Sequence, residues 1–244
     1  MTSRTDPAGK VRPGPAQGFA EGKSRPILAI ETGNRSCSVV IFSSLTDIPA
    51  VAHESTDHGH ATMLMPMIED TMAKAGCDYA DLARIAVSVG PGSFTGIRVG
   101  LAAALGLSLA SGVPVVGISS FLTVADVDAG ERQDRRLFAL LDSRREEPFL
   151  VELDTELRFV QPPAVVTPEA LDGILALARP LILAGDAPAM GRYATQGGIR
   201  LMKTSPHALA VAMRAADPER RFDLPPKPVY IRPPDVTMPK PKPA

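Results

Sequence analysis

Cysteine is scarce in this chain. Only Cys37 and Cys77 occur among 244 residues, far apart and without C-x-x-C or zinc-type spacing, so neither a disulfide framework nor a thiolate metal centre is indicated, and reduced, cytoplasmic cysteines fit best. Net charge is also nearly absent, since 26 Lys and Arg against 27 Asp and Glu leave −1. A chain with no overall basic field does not draw in nucleic acid by itself, so contacts to RNA phosphates are expected largely from a partner. Residues 1–25, MTSRTDPAGKVRPGPAQGFAEGKSR, hold no apolar run of secretory length, and their Gly, Pro, Ala and charge mark a disordered tail. Histidine is limited to four residues. His58 and His60 stand at i and i+2, about 200° apart on a helix, whereas helical metal pairs fall at i and i+3 or i+4, so no metal site is expected.

What the chain does contain is centred on Ile85 to Ile118, IAVSVGPGSFTGIRVGLAAALGLSLASGVPVVGI. A short β-branched run closed by Gly90-Pro91-Gly92 reads as a buried strand. Thr95 to Ala110 reads as a buried helix, too broken by glycine to span a membrane. Gly96, Gly100 and Gly106, each costing about 1 kcal/mol in a helix, suggest close approach to a neighbour. A second strand follows at Val113 to Ile118, which completes a parallel strand–helix–strand unit. The turn itself admits two readings. Backbone amides at Gly90, Gly92 and Gly96, with the hydroxyls of Ser93 and Thr95, could hold a phosphate, or the same residues could simply cap the helix. A P-loop lysine and the dinucleotide glycine spacing are both missing.

Around this unit the pattern gives strands at Ile27–Glu31, Cys37–Phe42 and near Val51–Glu54, the first two joined by a Thr32-Gly33-Asn34 turn. An amphipathic helix follows over His58–Gly76, with Met63, Leu64, Met67, Ile68 and Met72 at helical spacing. Beyond a charged link at 126–136 come strands at Leu137–Leu141, Phe149–Leu153 and Pro180–Gly185, and a helix starting at Thr167-Pro168-Glu169. Gly191–Arg200 looks loosely ordered, and a last helix runs over Pro206–Ala216. The charged segment Asp142 to Glu147 reads as a solvated hairpin tip or as a face turned to a partner. The domains are therefore a tail at 1–25, a first lobe at 26–125 completed by 204–223, a second lobe at 126–203, and a proline-rich tail at 224–244 anchored only near Val229–Ile231.

GPGSFTGIRVG, together with LAIETGNRSCSVV, the H-x-x-x-L-x-P-M-I run from His60, LLDSRREEPF and PVYIR, resembles the TsaB (YeaZ) family over about Ile27 to Arg232. The resemblance implies an α/β, two-lobed actin-like (ribonuclease-H-like) ATPase fold with a reduced second lobe. It implies a subunit with no catalytic residues and no activity alone, which joins the transferase TsaD and the ATPase TsaE in making threonylcarbamoyladenosine in tRNA. By the same resemblance tRNA is contacted through the complex, the isolated chain is a homodimer, no membrane or required cofactor is involved, and any nucleotide is held weakly at the partner interface. The docking helix would present His60, Met63, Leu64, Met67, Ile68 and Met72. Glu31, Thr32 and Gly33 would lie beside the fold's phosphate position with Gly90, Gly92, Ser93, Thr95 and Gly96. Glu31 stands where the family carries Asp, and Thr32-Gly33 where it carries Thr-Ser, which count against independent Mg-nucleotide chemistry. A self-sufficient actin-like kinase or ATPase and a glycoprotease-like metallopeptidase are the competing classes, and each needs groups this pattern does not supply.

Overall fold

The computed structural model describes residues 25–43 and 48–232. Almost all of the expected 1–25 tail and the last residues of the proline-rich tail lie outside them. Two five-stranded sheets form the frame. The first contains β1 (Ile27–Glu31), β2 (Ser36–Phe42), β3 (Ala50–Ser55), β4 (Arg84–Gly90) and β5 (Val115–Ser119) in the order β3-β2-β1-β4-β5. β1, β2 and β3 pair antiparallel, and β4 and β5 run parallel to β1. The second contains β6 (Arg136–Leu141), β7 (Phe149–Leu153), β8 (Ala164–Val165), β9 (Leu181–Gly185) and β10 (Ile199–Lys203) in the order β8-β7-β6-β9-β10, with the same senses. A hairpin-led sheet finished by two parallel crossover strands, built twice, is the two-lobed actin-like (ribonuclease-H-like) fold. The repetition lies in topology and not in residue identities, so direct comparison along the sequence does not reveal it.

Alternate residues of each strand feed different cores. Leu28, Ile30, Ile85 and Val87 face α1 (His60–Ala75) and α2 (Phe94–Ser111) on the outer side of the first sheet. Phe138, Leu140, Leu181 and Leu183 face α5 (Pro168–Leu177) on the outer side of the second. Between the sheets lies a third core, to which Ile27, Ala29 and Ala86 contribute from the first sheet and Leu137, Ala139 and Ile182 from the second. α3 (Ser120–Val124) and α6 (Ala208–Ala215) are sandwiched there, so β1, β2, β6 and β9 are covered on both faces and read as largely apolar runs. α6 packs on β1, β2 and β4, and its first turn is capped by His207, whose Nδ1 accepts the Ala210 amide at 3.2 Å. A single turn, α4 (Ala129–Arg132), forms in the charged link.

Three expectations change. Gly191–Arg200 is not loose: a 3-10 turn at Pro188–Tyr193 leads into β10, which pairs in parallel with β9. IRLMK is a half-exposed edge strand following a glycine pair, so neither strict alternation nor an apolar run marks it. The second sheet is complete, and the economy of that lobe lies in its helices. Finally, α2 is not buried all round, because Ala102, Leu105, Gly106, Leu109 and Ala110 face outward. An apolar exterior leaves no polar stripe by which the sequence could distinguish its two sides.

Candidate functional site

The glycine turn is filled by the molecule's own first hairpin. Ser93 caps α2, its Oγ accepting the Gly96 amide at 3.3 Å, while its own amide donates to the Gly33 carbonyl at 2.6 Å. Thr32 Oγ1 donates to the Gly96 carbonyl at 2.8 Å. A Cβ at Gly92 would collide with the Gly33 carbonyl, one at Gly96 with the Thr32 carbonyl, and one at Gly100 with Thr32 Oγ1. Close approach therefore explains these glycines. Gly106 meets nothing and needs another account. Gly90 alone within the turn has a positive φ, of 103°. Carbonyl oxygens aimed into the turn repel a phosphate, so the residues do not fit the Mg-nucleotide that the fold family implies.

Glu31 confirms the misfit. The residue is fully buried although it ends a strand at a hairpin turn. Its Oε1 accepts the Gly33 amide, and its Oε2 is buried without a hydrogen-bond partner. Burial pushes this carboxyl up to about 7, the nearby Ser88 hydroxyl and the Gly33 amide pull it down, and Asp186 of the second lobe raises it further. Ser88 Oγ is itself 2.8 Å from Ser120 Oγ. Asp186, which accepts the Asp142 amide at 3.0 Å, is likewise raised by burial. An acid that burial keeps partly protonated at neutral pH and that is bonded to its own hairpin is poorly suited to hold a divalent ion.

The loop after β6 closes the cleft between the lobes. Arg144 Nη1 lies 2.7 Å from Asp57, and Arg35 bridges Asp57 at 3.0 Å and Asp142 at 3.6 Å. Arg144, with Arg35, holds the Asp57 carboxyl below its ordinary value. Arg144 has a left-handed φ of 63°, fixed by its amide donating to Asp142 Oδ1 at 2.7 Å. The segment from Asp142 to Glu147 is thus tethered to the first lobe through Asp142 and Arg144, while Arg144, Arg145 and Glu146 stay exposed. Residues 224–232 cross the same region as a strap. Leu224 exchanges backbone hydrogen bonds with Gly117, Val229 donates to the Val89 carbonyl at 2.8 Å, and Arg232 pairs with Glu147 at 2.7 Å. A cavity of about 520 Å³ opens beneath the strap, beside Ser93 and Thr95.

The outer helical face is the other candidate. On α1 the i, i+4 stripe His60, Leu64, Ile68 and Met72 points into the core, and His60 Nε2 lies 3.2 Å from the Ser36 carbonyl. Four of the six residues expected at an interface therefore hold the helix to its own sheet. Met63 and Met67 are half-buried. The exposed apolar groups are others: Met65 at 36%, Leu105 at 45% and Leu109 at 90%. The sequence did not say which residues of α1 face outward, and nothing in α2 singled out Leu105 or Leu109. α2 is long and apolar enough by composition to cross a membrane, but its inner face, including Ile97, Leu101 and Ala104, is packed on the first sheet. Among the described residues no cluster of three or more His, Cys, Asp or Glu is placed to hold a metal.

Comparison with known proteins points in one direction. The family model described as TsaD: tRNA N6-adenosine threonylcarbamoyltransferase matches residues 48–213. The chain is 34% identical over 127 residues to the tRNA threonylcarbamoyladenosine biosynthesis protein TsaB of Escherichia coli, a match covering 52% of this chain and 54% of that protein. It thus spans about half the length of that curated relative. An uncharacterized protein of Mycobacterium tuberculosis is 28% identical over 211 residues, covering 86% of this chain and 93% of its own. Among solved structures, YeaZ from Pseudomonas aeruginosa superposes with a TM-score of 0.66 at 27% identity, covering 84% of this chain and 99% of that one.

Proposed function

This chain belongs to the family of the tRNA N6-adenosine threonylcarbamoyltransferase model, in its TsaB (YeaZ) branch, and from that premise we propose that it is a non-catalytic subunit of a tRNA threonylcarbamoyladenosine synthesis complex. Its role is to bind and support a TsaD-type transferase, with a TsaE-type ATPase completing the assembly and tRNA reached mainly through the complex. It needs no cofactor of its own, and any weakly bound nucleotide belongs at the interface with the transferase.

The observation that carries this reading is the apolar outer face of α1 and α2. Leu109 is 90% exposed and stands one turn from the exposed Leu105, with the open Gly106 between them. A Cβ-free position facing outward lets a second backbone approach α2 closely, which accounts for a glycine that nothing inside the chain explains. Scaled by what each still exposes, burying Met65, Leu105 and Leu109 contributes about 2.5–5 kcal/mol, against an association cost of about 4–15 kcal/mol. These residues alone support at most a weak, exchangeable self-dimer, and a tighter heterodimer needs added contacts from the transferase. Co-purification with the transferase, followed by tRNA modification with and without this chain, is the test. Activity is expected only when both are present, and Leu109→Asp should abolish pairing while leaving the fold intact. Full modification by the transferase alone, or normal pairing of a folded Leu109→Asp chain, would overturn the proposal.

A further inference from the structure

We propose that the cavity beneath the strap is an RNA-binding cleft, through which this chain itself grips the phosphate backbone of a looped or single-stranded RNA segment. The inference rests on the proposed role in tRNA modification and adds to it a direct contact by this subunit. On a chain whose net charge is −1, Arg144, Arg145 and Arg232 line one cavity of about 520 Å³, and no carboxylate lines it with them. The arginines come from separate elements, the loop after β6 and the strap, so the fold and not local sequence gathers them. Arg232 uses Nη2 on Glu147 at 2.7 Å, while its Nη1 is buried without a hydrogen-bond partner. A guanidinium offers five donors, and one paired carboxylate leaves several for a phosphate. Arg144, in a left-handed backbone conformation, spends Nη1 on Asp57 at 2.7 Å and keeps other donors for a phosphate.

The rest of the lining suits RNA rather than an enclosed small anion. Tyr230 stacks on Phe94 with centroids 4.9 Å apart, and Arg98 lies over Phe94 at 3.7 Å while its Nε donates to Tyr230 Oη at 2.9 Å. Cationic groups beside an exposed aromatic face form the pairing that holds unstacked nucleotides, one contacting phosphate and the other a base. Tyr230, Thr95, Arg144 and Arg145 are all exposed, so the site is a channel that a strand can cross rather than a chamber that engulfs a ligand. It also leaves the helical face free. Thr95 and Leu109 are fourteen residues apart on α2, about 21 Å along the axis, so RNA and a protein partner can be held together.

Fluorescence anisotropy of the full chain with a labelled, unmodified tRNA anticodon stem–loop tests the inference. Saturable, salt-sensitive binding is expected. Arg145→Gln, Arg232→Gln and Tyr230→Ala should each weaken it by about threefold or more, and each lost arginine contact should lower the slope of log K against log salt by about 0.7. Melting temperature and pairing with the transferase serve as controls for folding. No saturable binding by the wild-type chain, or folded variants that bind equally well, overturns the inference. So does displacement of the RNA by millimolar AMP through the same arginines, since the ligand would then be a free nucleotide. Retained partner-dependent modification by the arginine variants would refute the cleft and leave the subunit role standing, whereas modification that never required this chain would refute the role.

Discussion

Replacing Glu31 by Gln should stabilise the protein at neutral and alkaline pH. The carboxyl titrates at its ordinary 4.5 in the unfolded chain and at about 7 when folded. Between those values the folded state holds the proton and the unfolded state has lost it. Stability from this group is therefore complete below 4.5 and drains away as pH rises through about 7. At 1.36 kcal/mol per pH unit the interval amounts to about 3 kcal/mol, most of which falls between about pH 5 and pH 8. Gln keeps the acceptor that binds the Gly33 amide and places an N–H where the orphaned Oε2 now sits, within reach of Ser88. It carries no charge to desolvate. Urea unfolding of wild type and variant across that range should give curves that converge on the acid side and separate by about 2–3 kcal/mol on the alkaline side, equivalent to roughly 4–12 °C in melting temperature for a chain of this size. His207, which burial pushes down, contributes with the opposite sign in both proteins and cancels in the difference. Parallel curves, or a variant less stable at every pH, would refute the argument that Glu31 is a buried acid at odds with neutral water.

Further substitutions separate packing from docking. Leu64→Asp buries a charge in the first core and should cost about 4 kcal/mol or more, read as loss of the folded baseline in circular dichroism, whereas Met65→Asp should leave the melting temperature within about 2 °C and shift sedimentation toward monomer. Gly96→Ala should destabilise by about 1–3 kcal/mol in chemical denaturation because its methyl meets the Thr32 carbonyl. Gly106→Ala meets open space and should stabilise the monomer by up to about 1 kcal/mol while weakening pairing with the transferase in a pull-down. Arg84→Ala would strand Asp223, its partner at 3.0 Å with both side chains largely buried, and should cost about 2 kcal/mol in the same denaturation assay.

Much of the fold was legible because the strands that matter are buried on both faces. ILAIE, SCSVVIF, RLFALL and LILAG are dominated by apolar residues, with Glu31, Ser36, Ser38 and Arg136 the polar exceptions. The capped starts at Ser93 and Thr167 were equally plain, since each side chain accepts an amide three residues on. Side-chain direction was less accessible. A methionine-rich helix reads as sticky all round, and only the sheet beneath it decides that Leu64, Ile68 and Met72 turn inward while Met65 turns out. At Gly92 φ lies outside the left-handed region, and the obstacle to a side chain is the Gly33 carbonyl. The arginine cleft could not be read at all, because Arg145 and Arg232 meet only through the path of the strap.

The core shared between the two sheets makes the lobe boundary near residue 126 a feature of the chain and not of its cohesion. Cutting there would leave Ile27, Ala29 and Ala86 on one fragment and Leu137, Ala139 and Ile182 on the other, each facing water where it had faced its counterpart. Each half keeps its own outer core but loses its share of the common one, so heat or denaturant should melt both lobes in a single transition. On the proposed role, α1 and α2 consequently cannot be lifted out as a miniature reagent. A would-be competitor of such pairing has to carry the whole double sheet simply to keep α1 and α2 side by side.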